Sequence, residues 1–242
     1  MNGLTARQIN FGIGFLIMIV IAIIVGILVL RKDVKYWGNR FFASAFFFFA
    51  SAVSLILIYL FLYDPFVIAF LNYLSFCNIN AAPICLLLGV LVIYKGEDEV
   101  IHNKSTYLFI LMMGIIIFIH GLIPGGVQVE FNLPKWSFLF GLYEIILGQA
   151  LFFSVVYFSI KLYRELSDEM QKKLKYFITG IITANISITS VVIKNMDIIG
   201  GFQLIESIFG VGSLISFIFV GIFSLGTLIS FIFIYYGIIR RR

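Results

Sequence analysis

Long apolar stretches separated by short polar segments fill almost the whole of this 242-residue chain. A hydrocarbon core about 30 Å thick is crossed by about 20 largely apolar residues in a helix, and seven stretches meet that length. We call them spans 1 to 7, and they lie near residues 10–30, 40–62, 66–94, 106–123, 137–160, 176–193 and 208–238. The pattern therefore predicts an all-α membrane protein, with residues 1–242 forming a single bundle of seven transmembrane helices.

The loops between the spans differ sharply in basic charge. Fourteen of the 17 Lys and Arg residues lie in the segments that follow spans 1, 3, 5 and 7, with Arg40 at the start of span 2 counted in the first of them. Lys and Arg in short loops mark the cytoplasmic side. We therefore expect a protein of the cell membrane with its N-terminus outside and its C-terminus in the cytoplasm. An even number of spans would break this alternation, so the charge pattern supports seven independently of hydropathy.

Composition limits the partners and the chemistry of the chain. Hydrophobic residues make up 62% and charged residues only 12%, which leaves little room for a soluble domain. The net charge of +5 comes from the inner loops, so we expect the lipid bilayer and its anionic headgroups as partners, and no nucleic acid.

Motifs for catalysis or for a cofactor are missing. The two histidines, His102 and His120, are predicted on opposite sides of the membrane, whereas a zinc hydrolase needs several ligands at one place. Span 7 has no lysine for a retinal Schiff base, and the glycines lie inside apolar helices rather than in a phosphate-binding loop. We therefore expect no enzyme, no catalytic residue, no metal site and no cofactor.

Glu144 is the most unusual residue within the spans. It lies in the predicted outer half of span 5, where a carboxylate is costly and usually faces a cavity or pairs with a neighbour. His120 and Lys194 are candidate partners at a similar depth. The residue is therefore a functional candidate, although a structural bond to an amide or water explains it equally well.

Amide side chains occur in span 5, which carries Glu144, and in spans 3 and 6. Together they predict a site. Buried amides usually bond across helices and stabilise the bundle, and for Asn78 and Asn80 this role is favoured over contact with a ligand. The functional alternative is an outward-facing polar cavity between spans 3, 5 and 6 that binds a small molecule or a lipid. Its predicted lining is Asn78, Asn80, Glu144, Gln149 and Asn185, with Lys194 near its mouth.

Span 7 is rich in small residues, including the pair Gly226 and Ser230. Small side chains let helices approach closely within a bilayer. We expect this surface to pack inside the chain rather than form a dimer interface.

Several landmarks together resemble a known family. They are the basic loop that leads into residues 39–42, Pro83 in span 3, the charged loop 164–176 before span 6, and the aromatic-to-basic exit 235–242. In this order they are similar to the seven-helix sensor region at the N-terminus of many prokaryotic membrane histidine kinases. The charged loop is also expected to extend spans 5 and 6 into the cytoplasm.

This resemblance implies a bundle that senses a stimulus and passes a conformational change to a cytoplasmic domain after the last helix. The sequence to Arg242 contains no phosphoacceptor helix and no ATP-binding domain, so we expect either a fragment or a receptor-like protein that acts through a separate transducer or kinase. The alternatives are a small transporter or channel with Glu144 as its coupling group, and a structural membrane subunit. Sensing is favoured because the inner halves of the spans are more apolar than the outer halves, apart from the Ser and Thr residues of spans 2, 6 and 7.

Overall fold

The computed structural model describes residues 6–123, 125–130, 133–195 and 212–239. Within these ranges nearly all of the chain is helical. The helices are α1 (Ala6–Lys32), α2 (Trp37–Tyr59), α3 (Pro65–Lys95), α4 (Glu97–Ile101), α5 (Lys104–Ile119), α6 (Phe138–Tyr163), α7 (Asp168–Asn195) and α8 (Gly212–Ile239). A 3-10 turn, His120–Leu122, follows α5, and a hairpin of β1 (Val127–Glu130) and β2 (Leu133–Trp136) precedes α6.

Seven of these helices are long and apolar enough to cross a membrane, which confirms the predicted all-α seven-helix bundle. Spans 1 to 3 are α1 to α3, span 4 is α5, and spans 5 to 7 are α6 to α8. The short helix α4 lies in the charged loop between spans 3 and 4. The chain is therefore a multi-pass membrane protein.

The sequence sets the ends of the helices that carry the site. Asp64 caps α3 by accepting a 2.9 Å hydrogen bond from the backbone N–H of Val67, and Pro65 occupies the first turn, where its missing N–H costs nothing. Helix α3 ends at Gly96, whose φ of 96° is strained for other residues. Ser137 caps α6 in the same way as Asp64 caps α3, by accepting from the N–H of Phe140.

Six of the described helices form a ring. Each of α1, α2, α3, α6, α7 and α8 packs against the next in that order, and α8 returns to α1. Helix α5 lies outside the ring against α3, and most of its side chains are exposed, as expected of a surface that faces lipid. The apolar core fills the ring, with Phe231 of α8 in edge contact with Phe46 and Phe49 of α2.

Small residues bring α7 and α8 into backbone contact. A Cβ atom on Gly180 would lie 2.9 Å from the backbone N of Ile234 and the backbone O of Ser230, and one on Gly226 would collide with Ser187. The small residues Gly226 and Ser230 of span 7 thus pack against α7 within the chain.

Candidate functional site

Glu144 lies on the inward face of α6 and is only 3% exposed. Its Oε2 accepts a 2.7 Å hydrogen bond from the side-chain amide of Asn80 on α3. Asn80 is also buried. The bond joins two helices of the ring, as expected for polar groups that cannot reach water.

His120 completes a group that we call the outer polar cluster, which consists of Asn80, His120 and Glu144. The imidazole is 0% exposed, and its Nε2 lies 3.4 Å from Oε1 of Glu144, a separation longer than an ordinary hydrogen bond. In the part of the chain that the structure describes, no donor makes a hydrogen bond of good geometry to that Oε1. The cluster therefore keeps unused capacity for an additional donor.

The rings around His120 hold it in place. Tyr73, Phe140 and Tyr143 surround the imidazole at centroid distances of 4.8, 5.2 and 6.0 Å. Burying a charge in such surroundings is costly unless the charge is paired. Glu144 and His120 are the two ionisable members of the cluster, and Nε2 of His120 and Oε1 of Glu144 face each other at 3.4 Å without a hydrogen bond of good geometry.

The hairpin closes the cluster on the side that is predicted to be outside. Trp136, at the end of β2, is 1% exposed and donates through Nε1 a 2.9 Å hydrogen bond to Oδ1 of the fully buried Asn72. Its ring packs against Phe76 at 4.2 Å and against Phe140 at 5.2 Å. Because Phe140 also contacts His120, the indole and this phenyl ring form a cap over the cluster.

An apolar layer closes the opposite side. One and two turns beyond Glu144 on α6, Leu147 and Leu151 are buried in a cluster with Ile84 and Leu88 of α3 and Ile117 of α5. The outer polar cluster is thus a buried polar contact between an aromatic cap and an aliphatic layer.

A second polar contact, the amide clamp, joins α6 to α7 and consists of Gln149, Asn185 and Thr189. The Asn185 amide donates to Oε1 of Gln149 at 2.8 Å, and the Gln149 amide donates to Asn185 and Thr189 at 3.2 and 2.9 Å. The reciprocal bonds satisfy both amides where water is scarce. The clamp lies deeper along α6 than Glu144.

The structure groups only some of the six predicted site residues. It brings Asn80 to Glu144, and it brings Gln149 to Asn185 as a separate pair. Asn78 is half-buried and donates to the Leu74 carbonyl of its own helix at 2.8 Å. The side chain of Lys194 lies outside the described residues.

His120 was predicted from the sequence as a candidate partner of Glu144 but not as part of the cavity lining. The bond between Trp136 and Asn72 was not predicted. The available signal was that Trp136, one of only two tryptophans, lies at the predicted outer interface, where an indole buries its ring and seeks an acceptor. Within the described ranges, no group of three His, Cys, Asp or Glu residues is placed to hold a metal ion.

Comparisons with known proteins do not assign this membrane protein to a family. No model of a protein family matches the chain, and no curated protein matches it. Its function must therefore be inferred from its own residues.

Proposed function

We propose that the chain is a sensory module of the cell membrane, which binds a small molecule or a lipid at the outer polar cluster and signals to a cytoplasmic effector. The observation that carries this proposal is the buried carboxylate of Glu144, held by Asn80 and His120. Ionisable groups inside a membrane are costly and mark functional sites. The oxygen Oε1, which lacks a donor of good geometry among the described residues, is the acceptor offered to a ligand.

The apolar layer favours sensing over transport. A transport path needs a continuous polar lining, whereas Leu147, Leu151 and Leu88 interrupt it on the inner side of the cluster, and the amides of the deeper clamp bond to each other. A ligand that binds one arrangement of α3, α5 and α6 more tightly than another shifts the population by its differential affinity. The order of landmarks that resembles histidine-kinase sensor regions supports the same function.

The contacts of α6 supply a route to the cytoplasmic side. The amide clamp couples α6 to α7, and the glycine contacts couple α7 to α8. Helix α7 begins at Asp168, in the charged loop on the predicted cytoplasmic side. A displacement of α6 at Glu144 would therefore reach the loop at residues 164–167, where we place the contact with the effector.

The test is ligand-dependent thermal stability of the purified protein and two variants, screened against a library of membrane-soluble small molecules and lipids. Glu144→Gln removes the buried carboxylate. Glu165→Gln is the matched control for ligand binding, because it makes the same change at an exposed position outside the outer polar cluster, and the effector that the loop would contact is absent from the purified protein. We expect ligands that raise the melting temperature of the wild type and of Glu165→Gln, with the shift lost in Glu144→Gln.

Two results would contradict the proposal. One is a set of ligands that stabilise all three proteins equally, which would show that Glu144 takes no part in binding. The other is a proton or cation flux in proteoliposomes that disappears in Glu144→Gln and persists in Glu165→Gln, which would identify a transporter.

A further inference from the structure

A central cavity lies inside the helix ring, away from the outer polar cluster. It has a volume of about 40 Å³, and five helices contribute to its wall: α2, α3, α6, α7 and α8. It shares no residue with the outer polar cluster or the amide clamp. Its proposed role can therefore fail without affecting the proposed function, and the reverse also holds.

Small and rigid residues create this space. Ala45, Ala82 and Ala184 line it from three different helices, where longer aliphatic side chains would fill it. Pro83 also lines it, and a proline inside a helix removes one backbone hydrogen bond and distorts the turn before it. A void in a packed interior loses contacts and costs stability. An occupant would restore those contacts.

The wall is apolar. It contains no charged side chain, and four phenylalanines contribute rings, among them Phe152 and Phe231. The polar residues at the wall are Thr227 and Ser230, and the Ser230 hydroxyl already donates to the Thr227 carbonyl at 2.7 Å. A buried water needs about two to four polar partners, and a cavity needs only about 10–15 Å³ to hold one. The cavity is thus larger than one water requires and poor in partners for it.

We propose that the central cavity binds a small uncharged apolar molecule that dissolves in the bilayer, of the size of a gas atom or a molecule of a few heavy atoms. Cavities with apolar walls stay dry and accept such guests. The bilayer concentrates apolar molecules around the helices. Because the wall joins α2 and α3 to α7 and α8, occupancy favours the arrangement in which these helices enclose the guest.

Xenon is the probe, applied under pressure to crystals of the full chain and followed in bicelles by xenon NMR. We expect anomalous density between Pro83 and Phe231 and saturable binding in solution. Ala184→Leu, which fills the cavity, should lose the saturable binding. Ala150→Leu, the same change at an exposed position of α6, should keep it.

Leu86→Ala gives an independent arm, because it enlarges the cavity and should strengthen xenon binding. The proposal is overturned by water density in the cavity, by the absence of xenon there in the wild type, or by saturable binding that survives Ala184→Leu. The wild-type measurement decides even if neither cavity variant folds.

Discussion

Asn78 and Asn80 show how a shift of two positions changes the role of an amide. Two residues along a helix are about 200° apart around its axis, so they face nearly opposite directions. Asn80 reaches across to Glu144 on another helix, whereas Asn78 bonds to the backbone of its own turn. Only the first of these bonds links two helices of the ring.

This difference predicts unequal stability effects. Asn80→Ala should lower the free energy of unfolding by about 1–2 kcal/mol, because it removes the amide that donates a 2.7 Å hydrogen bond to the buried carboxyl group of Glu144. Asn78→Ala is the matched control and should cost under about 0.5 kcal/mol. Reversible unfolding in mixed micelles, followed by circular dichroism, measures both values.

A double-mutant cycle separates the bond from local packing. In a Glu144→Leu background the acceptor is gone, so the cost of Asn80→Ala should fall towards that of Asn78→Ala. Equal costs for the two asparagine variants in the wild type, or an unchanged cost of Asn80→Ala in the Glu144→Leu background, would contradict the role given to this bond.

Part of the outer polar cluster could be predicted from the sequence, and part could not. A carboxyl group within a span needs a partner, and the depth of Glu144 along span 5 predicts His120 and Lys194 as candidates. The structure places Nε2 of His120 3.4 Å from the carboxyl group, and the side chain of Lys194 lies outside the described residues. The bond from Trp136 to Asn72 depends on how the hairpin folds over the bundle. That arrangement is tertiary, and neither hydropathy nor residue depth encodes it.

Helices α7 and α8 approach each other closely because glycines, which have no side chain, lie at their contact. At Gly180 a Cβ atom would meet backbone atoms of α8, which cannot rotate away as a side chain can. At Gly148 of α6, by contrast, nothing lies within 4 Å of an added Cβ. Both glycines lie in the middle of a helix, but only Gly180 packs against the backbone of another helix.

Replacement of each glycine by alanine should therefore change stability in opposite directions. Gly148→Ala should stabilise the protein by up to about 1 kcal/mol, because alanine favours the helix. Gly180→Ala should destabilise it by about 1–3 kcal/mol, because the two backbones must separate. Thermal unfolding of the purified variants measures both effects. Stabilisation by Gly180→Ala would show that α7 and α8 do not touch there.

The elements themselves were predicted with differing success. The charged loop does become helical, since α7 begins at Asp168, eight residues before the predicted start of span 6. The hairpin of β1 and β2 was not predicted, because its two strands have four residues each and carry almost no periodic signal.

At the scale of the whole molecule, hydropathy predicts the seven spans but not their neighbours. Every span is apolar enough to face lipid, so the pattern does not say that α5 lies outside the ring while α3 lies within it. Contacts between particular shapes, such as Gly226 against Ser187, determine the order of helices. The central cavity could not be predicted for the same reason, because its wall comes from five separate helices whose order hydropathy does not give.

The proposed sensory function depends on the direction in which the seven spans cross the membrane, because this direction places Glu144 in the outer half and the loop at residues 164–167 inside. The most direct measurement attaches compartment-specific reporters to the two ends of the chain in living cells, one active only outside and one only in the cytoplasm. We expect an external N-terminus and a cytoplasmic C-terminus, as the distribution of Lys and Arg predicts. Both ends in one compartment would contradict the proposed orientation.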